Sequence, residues 1–158
     1  MKRLIAGAVV AGVAVFAGVG AFSDETTRND SGAIVESGGL GAFVIKNGDC
    51  VNIPDGLLVQ SVEGLPCSQA HDAEVYYLFD LSGTSYPGAE WVSEAGVNGC
   101  LGAFHAFVGV AYERSELDIF WLEPTEDTWT DIDDREIACM IVSLDGSKLT
   151  GSMRGTGR

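Results

Sequence analysis

Positive charge is scarce in this sequence, which has nine Lys and Arg against 23 Asp and Glu and a formal net charge of −14. Two of the basic residues precede position 23, so residues 23–158 carry a formal charge of −16. Nucleic-acid binding requires the opposite sign, so we expect no nucleic-acid partner. The same charge repels anionic lipids and teichoic-type polymers unless cations bridge them. It also helps to keep an exported protein soluble.

Several site motifs are absent as well. Cys67 and His71 are spaced as C-x3-H, but no second C-x2-C or H-x3-H half completes a zinc site. No Ser or Thr lies in a nucleophile-elbow pattern. Four aspartates that could bind calcium occur close together but lack the EF-hand order: Asp127, Asp131, Asp133 and Asp134. We therefore predict no metal, no cofactor and no catalytic residue.

The N-terminus has the composition of an export segment. Lys2 and Arg3 precede 19 residues without charge, 4–22. Val19 and Ala21 occupy the small-residue positions of a cleavage site after Ala21, which favours a cleaved signal peptide for residues 1–22. The alternative is an uncleaved membrane anchor at 4–22, because 19 apolar residues can just span a bilayer of about 30 Å.

The exported part divides into a predicted linker and a predicted domain. Residues 23–41 are rich in Gly, Ser, Thr and Asp with few large apolar groups, which is typical of a flexible linker. Residues 42–154 are long enough for one domain of ordinary size.

The four cysteines, Cys50, Cys67, Cys100 and Cys139, all lie beyond the export segment, where an even number predicts two disulfides. Three pairings are open. We favour Cys50 with Cys67, which join segments on either side of a short polar excursion. Cys100 would then tie a long helix to the last strand through Cys139. No cysteine precedes Cys50, which argues against a lipoprotein.

Hydrophobic periodicity predicts strands on either side of one long helix. At 73–81, Val75, Tyr77, Phe79 and Leu81 alternate with a second face that is itself half apolar, so this strand should be central in its sheet. The stretches 117–124 and 136–146 also read as strands.

Residues 89–108 show apolar or small side chains at helical spacing, which predicts the helix: Val92, Ala95, Gly99, Ala103 and Phe107. The glycines in this stretch would let a sheet approach closely. We predict an α+β domain with one small antiparallel or mixed sheet, one long helix packed on a face, and two disulfides.

Several short motifs occur in a fixed order along the predicted domain. They are GDCVN at 48–52, C-x3-HDAEVY at 67–76, YPG at 86–88, a run from Pro124 through Trp129 and Asp134-Arg135 to Cys139, and LTGS at 149–152. In this order they resemble the septum-formation family, a small extracytoplasmic domain found mainly in actinobacteria. The family usually has Gly where this chain has Asp133, so a turn with positive φ there would rely on the tolerance of Asp for that region.

The resemblance implies an exported or membrane-anchored envelope protein connected with division. It supplies no reaction and no catalytic residues, because the family is a domain of unknown function.

Two groups of motif residues are the candidates for a site. His71 with Asp72 and Glu74 could form an acid/base cluster, or His71 could hold the loop that leads into the central strand. Arg135 could pair with Asp134, Glu74 or Asp72, which would bring both groups together.

The tryptophans Trp91, Trp121 and Trp129 could stack on sugar, but core packing is the commoner fate of such rings. Trp129 is the best candidate for an exposed ring.

The function predicted from these observations is a non-enzymatic interaction or scaffold domain of the cell envelope, secreted or anchored outside the cytoplasmic membrane. Envelope or division proteins are its expected partners. The alternatives are an envelope-acting hydrolase or transferase that uses His71 with Asp72 or Glu74, and a ligand-binding or cation-binding sensor.

Overall fold

The computed structural model describes residues 13–15, 20–55 and 58–158. The described elements, in chain order, are β1 (Val13–Val15), β2 (Thr27–Arg28), β3 (Ile34–Glu36), β4 (Gly38–Gly41), β5 (Cys50–Asn52), β6 (Leu58–Val59), β7 (Ser61–Leu65), β8 (Ala73–Asp80), α1 (Ala89–Val108), β9 (Leu117–Glu123), α2 (Glu126–Asp131) and β10 (Glu136–Ser143). Short 3-10 helices lie at Ala42–Val44 and Tyr112–Arg114. The predicted strands and long helix are therefore present.

Eight strands form one mixed sheet in the order β4-β7-β5-β8-β10-β9-β1-β6. Its pairs are antiparallel except for β1, which runs parallel to both β6 and β9. Only Gln60 separates β6 from β7 in the chain, yet they lie near opposite ends of this order, so the sheet curls round on itself. The predicted α+β class, with one long helix on a mostly antiparallel sheet, is confirmed.

Helix α1 packs on the outer face of the sheet. Its buried residues are Val92, Gly96, Cys100, Phe104, Phe107 and Val108. The buried stripe thus runs through Gly96, Cys100 and Phe104, which differs from the predicted stripe through Ala95, Gly99 and Ala103. The Cys100–Cys139 disulfide fixes this rotation by joining the helix to β10.

Two glycines of α1 explain how closely the helix approaches the strands. A Cβ at Gly96 would lie 2.7 Å from Trp121 Nε1 on β9, and one at Gly99 would lie 2.3 Å from Phe79 Cζ on β8. The predicted close approach is therefore confirmed, and it depends on the missing side chains.

The inner face of the curled sheet encloses a second apolar core, which includes Leu40, Val51, Val75, Leu122 and Met140. Strand β8 lies between β5 and β10, so its predicted central position is confirmed. Both faces of β8 are consequently covered over its first half.

The predicted division of β8 into faces is wrong, because the strand contains a bulge. Val75 pairs with Met140 and Tyr77 with Cys139, which leaves Tyr76 as the extra residue. Tyr76 turns towards α1, and its hydroxyl donates to the Cys100 carbonyl at 2.5 Å. Past the bulge the alternation is reversed, so Val75 lies in the inner core whereas Phe79 packs on the α1 side.

The flexible linker predicted at 23–41 is wrong for most of its length. β2 and β3 pair as a small hairpin, and β4 pairs with β7 at the edge of the main sheet. Ile34 and Leu40 are buried. Composition does not reveal this because glycine is required here by close packing of the backbone. A Cβ on Gly38 would lie 2.3 Å from the Glu25 carbonyl oxygen.

Most of the predicted export segment, at 1–12 and 16–19, lies outside the described residues. Its described part contributes β1 to the sheet. None of the helices in the described ranges is long and apolar enough to cross a membrane.

Candidate functional site

The two groups of predicted site residues lie at opposite ends of β8. His71 lies two residues before Ala73, where β8 begins. The last residue of β8, Asp80, pairs with Glu136, which is next to Arg135. Eight residues of strand span about 23 Å at roughly 3.3 Å per residue. The predicted pairing of Arg135 with Glu74 or Asp72 is therefore wrong.

At the first end, His71 is a buried structural residue with no exposed surface. Its Nδ1 donates to the Gln69 carbonyl at 2.8 Å, and its backbone exchanges two hydrogen bonds with Leu149. Nε2 is buried and has no hydrogen-bond partner. The backbone of His71 therefore holds the C-terminal segment beside β8, and the imidazole presents no nitrogen to solvent.

The carboxylates of this group bind the same C-terminal segment. Glu74 is buried and accepts hydrogen bonds from Ser152 Oγ at 2.5 Å and from the Met153 amide at 2.6 Å. Asp72 forms an ion pair with Lys148 at 2.7 Å. Both side chains thus have structural partners, as a loop anchor requires.

Glu74 also lies beside the sulfurs of Cys50 and Cys67, and the ligand atoms of these residues are all within 4.8 Å of one another. The two sulfurs are bonded to each other, so they are not the thiolates that a metal site needs. Both disulfide pairings predicted from the sequence, this one and Cys100–Cys139, are confirmed.

At the other end, Trp129 is only 2% exposed, so the prediction of an exposed ring is wrong. Thr125 caps α2 by accepting from the Thr128 amide, and the helix turns Trp129 inwards. The Arg135 guanidinium carbon lies 3.8 Å from the centre of the indole ring. Because Arg135 covers the buried indole ring, the ring has no open face on which a sugar could stack.

Arg135 holds the surrounding loops by several bonds. Its Nη1 donates to the carbonyls of Trp129 and Asp134, and its Nε donates to that of Gly83. Its ion-pair partner is Asp133 at 2.7 Å, in place of the predicted Asp134 carboxylate. Asp133 has φ 58°, so the turn with positive φ expected at this position is present and is occupied by Asp.

The described aspartates of the 127–134 stretch do not converge. Asp127 and Asp131 are exposed on α2, whereas Asp134 is buried. Within 20–55 and 58–158, one trio of His, Cys, Asp or Glu has ligand atoms close enough to share a metal ion, and it is the disulfide group with Glu74.

An acidic pocket of about 290 Å³ lies at this end of β8. It is lined by Phe43, Asp80, Asp133, Asp134, Arg135 and Glu136. Arg135 is the one basic residue that lines the pocket, and its guanidinium is paired with Trp129 and Asp133, so it forms no ion pair with Asp80, Asp134 or Glu136.

Electrostatics in this pocket favour protonated carboxyls. Burial, with Asp80 and Asp134 adding to it, raises the pKa of Glu136 to about 7. Burial also raises the pKa of Asp134, against the lowering effects of Thr128, the Glu136 amide and Arg135. Asp134 Oδ2 is buried without a well-formed hydrogen bond. The negative charge that these carboxyls still carry near neutral pH is therefore only partly compensated.

Asp80, Glu136 and Phe43 are the site residues that sequence reasoning missed. The signal that could have found them is the placement of one acidic residue at the end of the first predicted strand and another at the start of the last. An antiparallel pairing of these strands brings the two carboxylates opposite each other.

The fold and the pocket together define a small disulfide-bonded domain with an acidic surface pocket. A family model described as Septum formation matches residues 25–153, and the chain belongs to this family. Membership connects the chain with cell division. The disulfides and the family fit an extracytoplasmic location. No curated protein and no solved structure matches the chain.

Proposed function

We propose that the chain is an exported or membrane-anchored domain of the cell envelope that acts in septum formation by binding other proteins, without catalysing a reaction. The family supplies the connection with division. Two disulfides and the compact double core support a rigid domain that presents fixed surfaces. The charge of residues 23–158 argues against nucleic acid and for partners with basic groups.

The observation that carries the proposal is the closed surrounding of His71. A general acid or base must come within hydrogen-bond reach of its substrate. The imidazole has no exposed surface, its Nδ1 is bound to Gln69, and Glu74 is bound to Ser152 and Met153. The hydrolase or transferase alternative therefore has no accessible acid/base pair at this end of β8.

The proposal is tested by His71→Asn in a strain that lacks the wild-type protein. Asparagine can keep the hydrogen bond from the Nδ1 position to Gln69, but it removes the titrating ring. We expect cells to lose normal septa only if the variant also loses thermal stability. A His71→Asn protein that is folded should therefore support normal septation. Loss of septation with wild-type stability would favour catalysis and contradict the proposal. His105→Asn, the same change at the exposed histidine of α1, serves as the control.

A further inference from the structure

Beyond its bulge, strand β8 has one edge that is not paired with any of the described residues. β5 pairs with β8 only at Ala73 and Glu74, and Gly48 and Asp49 add hydrogen bonds to Val75. The chain before β5 then turns away, with Gly48 at φ 91°. No hydrogen bond joins a described residue to the outer edge of Tyr77–Asp80, whereas β10 pairs with the opposite edge.

The backbone direction identifies the groups on this edge. The Leu81 amide donates to the Arg135 carbonyl on the β10 side. Backbone groups alternate along an antiparallel strand, so the amides and carbonyls of Leu78 and Asp80 point to the free side. Such groups form a template on which another strand can pair.

Apolar side chains flank the free edge on both faces. On the α1 side, Tyr77 is 38% exposed and stacks on Phe79 with ring centres 5.3 Å apart. On the other side, Phe43 lines the pocket with Asp80 and stacks on Phe22, which is 58% exposed. A strand added here would bury these rings in part.

Negative charge is concentrated where the free edge ends. Asp80 and Glu136 are cross-strand partners, and they form the type of pair whose side chains come closest together. Asp134 adds a third carboxylate to the same pocket. A lysine or arginine from an added strand would compensate this charge.

We propose that the Tyr77–Asp80 edge of β8 accepts an extended segment of a partner protein, with apolar residues beside Tyr77 and Phe43 and a basic residue at Asp80 and Glu136. This inference rests on the proposed binding function and names its surface. A second copy of this chain fits poorly, because residues 23–158 carry a formal charge of −16 and two such edges would bring their carboxylates together.

Amide hydrogen exchange on the full chain tests the proposal. The probe is a synthetic heptapeptide in which valine and threonine alternate between terminal lysines, and the control peptide has glutamate in place of lysine. We expect the lysine peptide to slow exchange of the Leu78 and Asp80 amides at least fivefold, and the glutamate peptide to have no effect. Unchanged exchange at both amides, or protection elsewhere only, would overturn the proposal.

Matched variants separate binding from folding. Tyr77→Glu should abolish the protection. Leu144→Glu, which introduces the same residue at an exposed apolar position just after β10, 51% exposed, should retain it. Asp80→Asn should weaken binding of the lysine peptide at least threefold yet raise the melting temperature, because it relieves the repulsion with Glu136. A merely structural Asp80 would not produce these opposite effects.

Two further outcomes are decisive. Self-association of Asp80→Asn without peptide would show that this carboxylate only prevents edge pairing, and it would overturn the proposal. If Tyr77→Glu supports septation and still crosslinks to envelope proteins, the edge is the wrong surface while the binding function stands. If the wild-type protein crosslinks to nothing at septa, the binding function itself fails.

Discussion

Substitution of Glu136 by Gln should stabilise the protein at alkaline pH and leave it unchanged at acidic pH. Burial, Asp80 and Asp134 raise the pKa of Glu136 from 4.5 to about 7 in the folded protein. The folded state therefore binds this proton more tightly than the unfolded chain does. Its contribution is fully present below pH 4.5 and is lost as pH rises through about 7.

The magnitude follows from this difference in pKa. Converted in full, it corresponds to on the order of 3 kcal/mol. Glu136 is only half-buried, and solvent screening reduces the effect to about 1 to 2 kcal/mol. Glutamine resembles the protonated acid, so at pH 8 the variant should melt about 3 to 8 °C above the wild type.

Thermal unfolding of both proteins at pH 4.5, 6 and 8 measures the effect. The gap between them should open as pH rises through this range. Glu94→Gln, a neutralisation at an exposed position on α1, should show no such gap. A stability difference for Glu136→Gln that is the same at every pH would refute the account of this pocket.

Four further variants test the account of the fold. Gly96→Ala should destabilise the protein by about 1 to 3 kcal/mol, because its Cβ would lie 2.7 Å from the buried indole nitrogen of Trp121. Gly102→Ala, on the open side of α1, should stabilise it by about 1 kcal/mol. Chemical denaturation measures both changes in the free energy of unfolding. Replacing Cys100 and Cys139 together by Ala should lower the unfolding free energy by roughly 4 kcal/mol for a sequence separation of 39, and an unchanged denaturation midpoint would contradict this. Asp133→Gly should raise the melting point slightly, because glycine relieves the positive φ at the cost of an exposed ion pair; a large loss of stability would show that the ion pair dominates.

Local patterns were sufficient for the framework of the fold. The helix at 89–108, the three long strands and both disulfide pairings follow from hydrophobic period, flanking loops and cysteine placement. These features repeat over many residues or involve covalent bonds, so single exceptions do not hide them.

Features that depend on one residue or on distant partners were not predictable. The bulge at Tyr76 adds one residue to β8 and reverses the faces beyond it. Of the strands within 23–41, β4 takes its partner from β7, later in the chain, and β2 and β3 pair with each other, so composition alone indicates a linker. The exposure predicted for Trp129 is wrong because Thr125 and Thr128 cap a short helix that turns the ring inwards.

In the candidate site too, the residue types are evident from the sequence, whereas their surroundings depend on distant partners. The sequence singles out His71 and Glu74 as motif residues, but their burial depends on the C-terminal segment folding back over them. The acidic pocket depends on the register that places Asp80 opposite Glu136. Sequence reasoning identifies such residues only when strand pairing is known.

Site-specific photo-crosslinking in dividing cells tests the central claim most directly. A photoreactive amino acid at position 77 samples the free edge of β8, and the same group at position 144 is the control near the opposite end of β10. We predict a discrete crosslinked envelope or division protein from position 77 at septa, absent from position 144. No crosslink at position 77, together with normal septation by Tyr77→Glu, would contradict binding through this edge.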